Sequence, residues 1–300
     1  MRAKTVRGNW SWRTNKFGLP SVFLICIFFF LAGLFGSSLF FHSQEDEYDL
    51  SLRLRMKASL LEKSMKEETE YRLLHPGESG DDYITSIPFQ VLSWYPRALY
   101  FPNFASAELC ESIIYMARRG LKPSMVALRK GDTKESTEGI RTSSGVFISA
   151  SEDKMGILDV IEEKIARATK IPRTHYEAFN ILRYEVGQKY NSHYDAFHPA
   201  EYGPQKSQRM ASFLLYLTDV PEGGETMFRF ENGLNMDGSY GYEDCIGLRV
   251  RPRKGDGLLF YSLFPNGTID PASLHGSCPV IKGEKWVATK WIRDQAWGNF

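Results

Sequence analysis

The sequence predicts a mainly β domain with flanking helices (α+β), of the sandwich or jelly-roll kind, preceded by one N-terminal transmembrane helix. Three observations predict it: short β-rich runs divided by turn residues after Glu177, two amphipathic helical stretches upstream, and a charge-free run from Leu19 to Phe41. The β-rich runs are FNILRYEV, ASFLLYLTDV, LRVRP, GLLFYSL and EKWVATKWI, with Gly223-Gly224, Asn266-Gly267 and Lys282-Gly283 among the breaks. Several short strands at such spacing suit a sandwich or jelly roll rather than alternating helices and strands.

The elements follow in chain order. Leu19 to Phe41 holds 23 residues without a charge. At the α-helical rise they span roughly 34 Å, against roughly 30 Å of hydrocarbon in a bilayer. A cleaved secretory signal has a shorter apolar core and a small-residue cleavage site, whereas this run ends Leu-Phe-Phe-His. An uncleaved signal-anchor over 19–41 is therefore expected. Arg2, Lys4, Arg7, Arg13 and Lys16 precede it without an acid, and Glu45, Asp46, Glu47 and Asp49 follow. That asymmetry reads as a cytosolic tail at 1–18 and a luminal remainder, a single-pass type II protein. The endoplasmic reticulum membrane is expected, with the Golgi open because an anchor of this length suits either.

Residues 42–83 read as stalk and linker. The stretch 47–75 is charged, punctuated by Leu and Met and free of Pro and Gly, which suits a helix, and His75–Asp82 is a polar linker. The catalytic domain is placed at 84–300. Asn103 or Ser106 is expected to cap a helix running to Arg119, with Leu109, Ile113 and Met116 on one face. A second helix over roughly 151–169 carries Ile157, Val160, Ile161 and Ile165 on one face, and the two helices are expected to buttress one sheet.

Composition narrows the function. The 37 basic and 36 acidic residues nearly cancel, which argues against nucleic-acid binding through bulk charge. Four cysteines are too few for a disulfide lattice and are not spaced as a zinc site. Cys26 and Cys110 are expected unpaired. Cys245 and Cys278 are expected to pair if the β-rich half faces an oxidising lumen, two buried thiols being the alternative. Asn266-Gly267-Thr268 is a glycosylation sequon in an expected luminal loop and also a good Asn-Gly turn. Asn9-Trp10-Ser11 matches too, but falls on the cytosolic side.

Three fragments carry chemistry: His193-Tyr194-Asp195, His275 and Lys285. Residues i and i+2 of a strand share a face, so His193 and Asp195 project together. A histidine from a distant strand would complete two imidazoles and one carboxylate, the facial triad of non-haem iron(II) oxygenases. An isolated His-x-Asp also arises by chance, and a zinc site is the metal alternative. A 2-oxo diacid bound at such a centre has a second carboxylate that needs a cation inside an apolar pocket. In KWVATKWI, Lys285, Val287, Thr289 and Trp291 share one face by period two and Lys290 points the other way. His42, His75, His175 and His198 carry no such context.

Longer fragments carry a resemblance. RTSSGVF at 141–147, LRYEVGQKYNSHYD at 182–195, LLYLTDVPEGGET at 214–226 and DPASLHGSCPVIKGEKWVATKWI at 270–292 resemble plant and algal prolyl 4-hydroxylases, over about residues 88–293. The resemblance implies a double-stranded β-helix with iron(II) held by His193, Asp195 and His275. It implies that Lys285, with Tyr184 beside it, binds the distal carboxylate of 2-oxoglutarate. It implies that Arg141, Arg209, Glu177 and Trp291 contact an extended, proline-rich peptide, a polyproline II helix whose backbone has no internal hydrogen bonds. The implied reaction hydroxylates peptidyl proline to 4-hydroxyproline, consuming O2 and converting 2-oxoglutarate to succinate and CO2, with L-ascorbate keeping the iron reduced. Extensin and arabinogalactan-type glycoproteins are the implied substrates, and related prolyl hydroxylases are implied partners. Relatives commonly carry histidine where this chain has Arg293, a departure that would shift substrate preference if the position borders the peptide groove. The alternatives are a 2-oxoglutarate dioxygenase acting on another substrate, and a catalytically silent, membrane-anchored polyproline binder.

Overall fold

The chain divides into two units, Met1–Ser59 and Leu60–Phe300. The computed structural model describes residues 27–31 of the first and 87–297 of the second. Residues 27–31 are helical. No helix among the described residues is long and apolar enough to cross a membrane. Apart from 27–31, the expected anchor at 19–41 lies outside the described residues, as do the tail at 1–18, the stalk and linker at 42–83, and Cys26.

The second unit is mainly β, of the jelly-roll kind. Strands β1 (Gln90–Trp94) and β2 (Arg97–Phe101) form a hairpin, followed by helix α1 (Ala107–Arg118). Strands β3 (Lys122–Pro123) and β4 (Ser144–Ile148) precede helix α2 (Ile157–Thr169). Then come β5 (Phe179–Tyr184), β6 (Tyr190–His193), the single turn α3 (Pro199–Tyr202) and β7 (Arg209–Tyr216). The chain continues through β8 (Glu222–Gly223), β9 (Thr226–Phe228), β10 (Leu248–Val250) and β11 (Gly257–Tyr261). It ends on β12 (His275–Ser277), β13 (Val280–Lys282) and β14 (Lys285–Arg293). The large sheet runs β1-β2-β11-β7-β14-β5-β4-β3, the small sheet β10-β9-β12-β6, and β8 pairs with β13.

Side-chain alternation divides the core in two. Phe179 and Ile181 of β5, Phe213 and Leu215 of β7, and Trp286, Ala288 and Ile292 of β14 join Ile113, Ala117, Ile157, Ile161 and Ile165 of the helices in one cluster. The alternate residues Leu182, Tyr184, Leu214, Tyr216 and Val287 join Phe228, Val250, Leu258 and Phe260 in the other. The period of two along each strand thus sends one face to the helices and the other toward the small sheet. Each fully buried aliphatic or aromatic side chain contributes about 1.5–3 kcal/mol. Because β14 pairs on both sides, with β5 and β7, all nine of its residues are buried.

The sequence is corrected at two helix starts. Ser106, not Asn103, caps α1, accepting from the Leu109 N–H; Asn103 is left-handed (φ 50°) and donates its own N–H to Asp256. Helix α2 begins at Ile157 rather than 151. The Asp153 carboxylate accepts from the N–H groups of Met155 and Leu158, which holds the preceding residues in a turn. Lys290 points toward α2, donating to Glu162 at 2.5 Å and to the Glu177 carbonyl at 2.7 Å.

Candidate active site

The site lies between the two sheets. Strands β6 and β12 are neighbours, with His193 opposite His275. Asp195 follows just beyond β6. Its Oδ1 is 3.7 Å from His193 Nε2 and its Oδ2 is 3.6 Å from His275 Nε2. Their three donor atoms lie within 4.8 Å of one another, close enough to hold one metal ion.

The protonation states suit a metal. Each Nδ1 lies 2.9 Å from a backbone carbonyl, that of Asn191 for His193 and of Ser273 for His275. A carbonyl only accepts, so each Nδ1 carries a proton, and Nε2 is the nitrogen each ring turns toward the shared centre. Burial, with His275 alongside, pushes the His193 imidazole down to about 3, so it is neutral and able to ligate near neutral pH. Burial works against an ionised Asp195, but His275, His193 and Arg209 outweigh it and hold the carboxyl at about 2. The Ser212 hydroxyl donates to Asp195 Oδ2 at 2.5 Å. Two imidazoles and one anionic carboxylate on one wall of a cleft fit iron(II) with positions left open.

Lys285, Val287, Thr289 and Trp291 line one cleft together, as their period requires. Lys285 is 1% exposed. It donates to Ser277 Oγ at 2.8 Å and lies 5.3 Å from the ring centre of Tyr184. Burial drives its amine down to about 7, with the Glu225 charge opposing. A buried ammonium held by a hydroxyl and aromatic faces is a receptor for a carboxylate.

Toward the mouth, the Arg141 guanidinium sits 4.6 Å over the Tyr190 ring, which itself stacks 3.6 Å from His193. Arg209 lies 3.5 Å over the Trp291 ring. Trp291 Nε1 is buried and has no hydrogen-bond partner among the described residues. Glu177 and Arg293 stand beside this pair. Glu177, expected among the peptide contacts, receives Arg209 on both oxygens at 2.8 Å and Arg293 on Oε1 at 2.6 Å. Its carboxylate anchors both guanidinium groups. Arg293 is 5% exposed and lies behind Glu177, so it does not line the cleft.

Cys245 and Cys278 are joined in a disulfide with Cα atoms 5.4 Å apart, while Cys110 is buried and free, its thiol pushed up to about 12 by burial. Asn266 is exposed, and its Oδ1 accepts from the N–H and hydroxyl of Thr268.

Ser277, Tyr190 and Ser212 escaped the sequence reading. Ser277 was accessible in principle, two residues after His275 on one strand. Tyr190 was not. The pairs His275–His193 and Ser277–Tyr190 set three steps of β6 against two of β12, a bulge that turns both Tyr190 and His193 toward the cleft.

Comparisons with known proteins agree with this geometry. The profile of the 2OG-Fe(II) oxygenase superfamily matches residues 179–293, a span holding all three candidate ligands and Lys285. Probable prolyl 4-hydroxylase 9 of Arabidopsis thaliana is 62% identical over 285 residues, covering 95% of this chain and 96% of that protein. Prolyl 4-hydroxylase 13 of the same plant is 53% identical over 285 residues, covering 95% and 98%. A solved structure of a viral collagen prolyl hydroxylase from Paramecium bursaria Chlorella virus-1 is 24% identical, covering 65% of this chain and 95% of that one with a TM-score of 0.48. At that identity and coverage of the plant proteins, this chain belongs to the prolyl 4-hydroxylases, iron(II)- and 2-oxoglutarate-dependent enzymes that hydroxylate proline.

Proposed function

We propose that this chain hydroxylates C4 of prolines in extended, proline-rich segments of secretory-pathway glycoproteins, of the extensin and arabinogalactan type. The observation that carries this reading is the cleft itself, lined by a two-histidine, one-carboxylate cluster, a buried lysine, and Arg141 with the rings of Tyr190 and Trp291. Iron(II), when bound, would supply the redox chemistry by which O2 is consumed, one oxygen atom entering succinate as 2-oxoglutarate loses CO2 and the other entering the substrate carbon.

The protein's share is positional. His193, Asp195 and His275 hold the metal, with their second hydrogen bonds fixing ring tautomers and carboxylate orientation. Lys285 binds the distal carboxylate of 2-oxoglutarate beside Ser277 and Tyr184. Leu182, Leu214 and Val287 keep water from the bound acid. Arg141 and the unpartnered Trp291 Nε1–H donate to carbonyls of a polyproline II peptide, which offers them freely. Arg209 supports Trp291 from its ring face. We place these residues on a double-stranded β-helix in the lumen, anchored by 19–41 in the endoplasmic reticulum or Golgi membrane. L-ascorbate restores oxidised iron, Asn266 carries a glycan, and related prolyl hydroxylases are partners.

The test uses the purified full-length chain with iron(II), 2-oxoglutarate, ascorbate and a proline-rich peptide. A gain of one oxygen on proline, in step with succinate, is expected. Succinate without peptide oxidation points to another acceptor. A folded Asp195→Ala protein that still formed succinate would sink the iron assignment.

A further inference from the structure

We propose that Arg293 is a positioning residue for the peptide groove, fixing Glu177 and, through it, the Arg209 guanidinium and the Trp291 indole. The inference rests on the reading of Trp291 as a peptide donor. Arg293 ends β14 and is 5% exposed. Its Nε donates to Glu177 Oε1 at 2.6 Å and its Nη1 to the Ser207 carbonyl at 2.7 Å. Its guanidinium also lies 3.9 Å over the Trp297 ring. From the other side Arg209 grips the same carboxylate with two bonds of 2.8 Å and lies 3.5 Å over Trp291.

The geometry makes this a chain of supports. The fork of Arg209 on Glu177 is a rigid unit, but alone it can swing about the bonds of the Glu177 side chain. Arg293 removes that freedom from behind, because it is itself fixed by a backbone carbonyl and an aromatic face. The unit is then held at one place against Trp291, whose Nε1–H is buried, unpartnered and in the cleft. A donor fixed in advance loses less entropy on binding peptide.

A guanidinium also stays charged across physiological pH. The charged groups around it are Glu177 and Arg209 across the carboxylate, and Asp294 beside it, which accepts from the Ser207 hydroxyl and the Gln208 N–H. His175 completes the set, with its Nδ1 2.9 Å from the Arg293 carbonyl. Placing a titratable cation at 293 would therefore make peptide binding follow that cation's charge.

The experiment is steady-state kinetics on the full-length chain with a proline-rich peptide. Arg293→Met is expected to raise the peptide KM roughly tenfold, with kcat within about twofold and the 2-oxoglutarate KM unchanged. Arg293→Lys, which keeps a donor for Glu177, is expected to return the peptide KM to within about threefold of the parent. With Arg293→His the peptide KM should climb between about pH 6 and 8, relative to the parent profile. An unchanged peptide KM in folded Arg293→Met overturns the proposal, as does a parallel loss of kcat and 2-oxoglutarate affinity. If Arg293→Met does not fold, the Arg293→His profile decides: a peptide KM that tracks the parent across that range overturns it. Trp291→Phe separates the two layers. A peptide KM unmoved by Trp291→Phe removes the groove reading; a raised one with Arg293→Met silent removes only the role of Arg293.

Discussion

At the scale of single residues, the site works by deciding where protons sit before any ligand arrives. Ser212 illustrates it, because its hydroxyl donates to the Asp195 oxygen that faces His275. Supporting contacts of that kind are worth roughly 10- to 100-fold in metal affinity. Ser212→Ala is accordingly expected to weaken iron(II) binding by that factor in a metal titration, with the circular dichroism unchanged; full affinity would mean that the imidazoles alone fix the carboxylate. Lys285 gives a pH prediction with a definite sign. Burial lowers its ligand-free amine to about 7, and a bound carboxylate favours the protonated form and raises it again. Binding of 2-oxoglutarate above pH 7 therefore takes up a proton, and its affinity falls as pH rises, by up to about tenfold per pH unit. Lys285→Arg should flatten that dependence, and a parent KM for 2-oxoglutarate insensitive to pH between about 7 and 9 would contradict the assignment.

At the scale of elements, β14 is the part that carries most. Its inward residues supply Lys285 and Trp291 to the cleft, while on the outward face Lys290 reaches Glu162 of α2 at 2.5 Å. Lys290 is fully buried, so removing Glu162 takes away the carboxylate paired with it and leaves only the Glu177 carbonyl as acceptor. Glu162→Ala is expected to cost about 3–5 kcal/mol in urea unfolding. Replacing both partners, as Glu162→Leu with Lys290→Met, should recover most of that loss; recovery of none would show that the α2 contact depends on charge and not on packing. The loop leaving β9 is constrained differently. Gly247 has φ +81°, and a Cβ there would meet the Phe228 carbonyl oxygen at 2.1 Å, so even alanine forces the backbone of the His275 sheet to shift.

At the scale of the whole domain, the disulfide joins chain segments separated by 33 residues, tying the β9–β10 loop to the residue after β12. A loop of that length corresponds to about 4 kcal/mol of lost chain entropy in the unfolded state, and native bridges typically contribute about 2–5 kcal/mol. Replacing both cysteines by serine should lower the unfolding free energy by that amount. Iron binding that fell in proportion would place the bridge's role at the site; unchanged stability would mean that the loop is held by its other contacts.

Much of this was legible in the chain because it depends on local rules. Spacing put His193 and Asp195 on one face, and the resemblance to prolyl 4-hydroxylases supplied His275 as the third ligand and Lys285 as the carboxylate anchor. Alternation along KWVATKWI sends Lys285 and Trp291 one way and Lys290 the other, because a strand's period is fixed by backbone geometry. The helical faces of α1 and α2 follow from the same kind of period. Tertiary structure alone decided the rest. Tyr190 reaches the cleft through a bulge set by pairing with β12. Glu177 and Arg293 are tied to each other and to Arg209 and Ser207, which reach them from distant parts of the chain. A charged side chain in isolation reads as a candidate contact for a ligand. Whether it meets that ligand or another side chain depends on which partners folding brings within reach, and no local pattern encodes that.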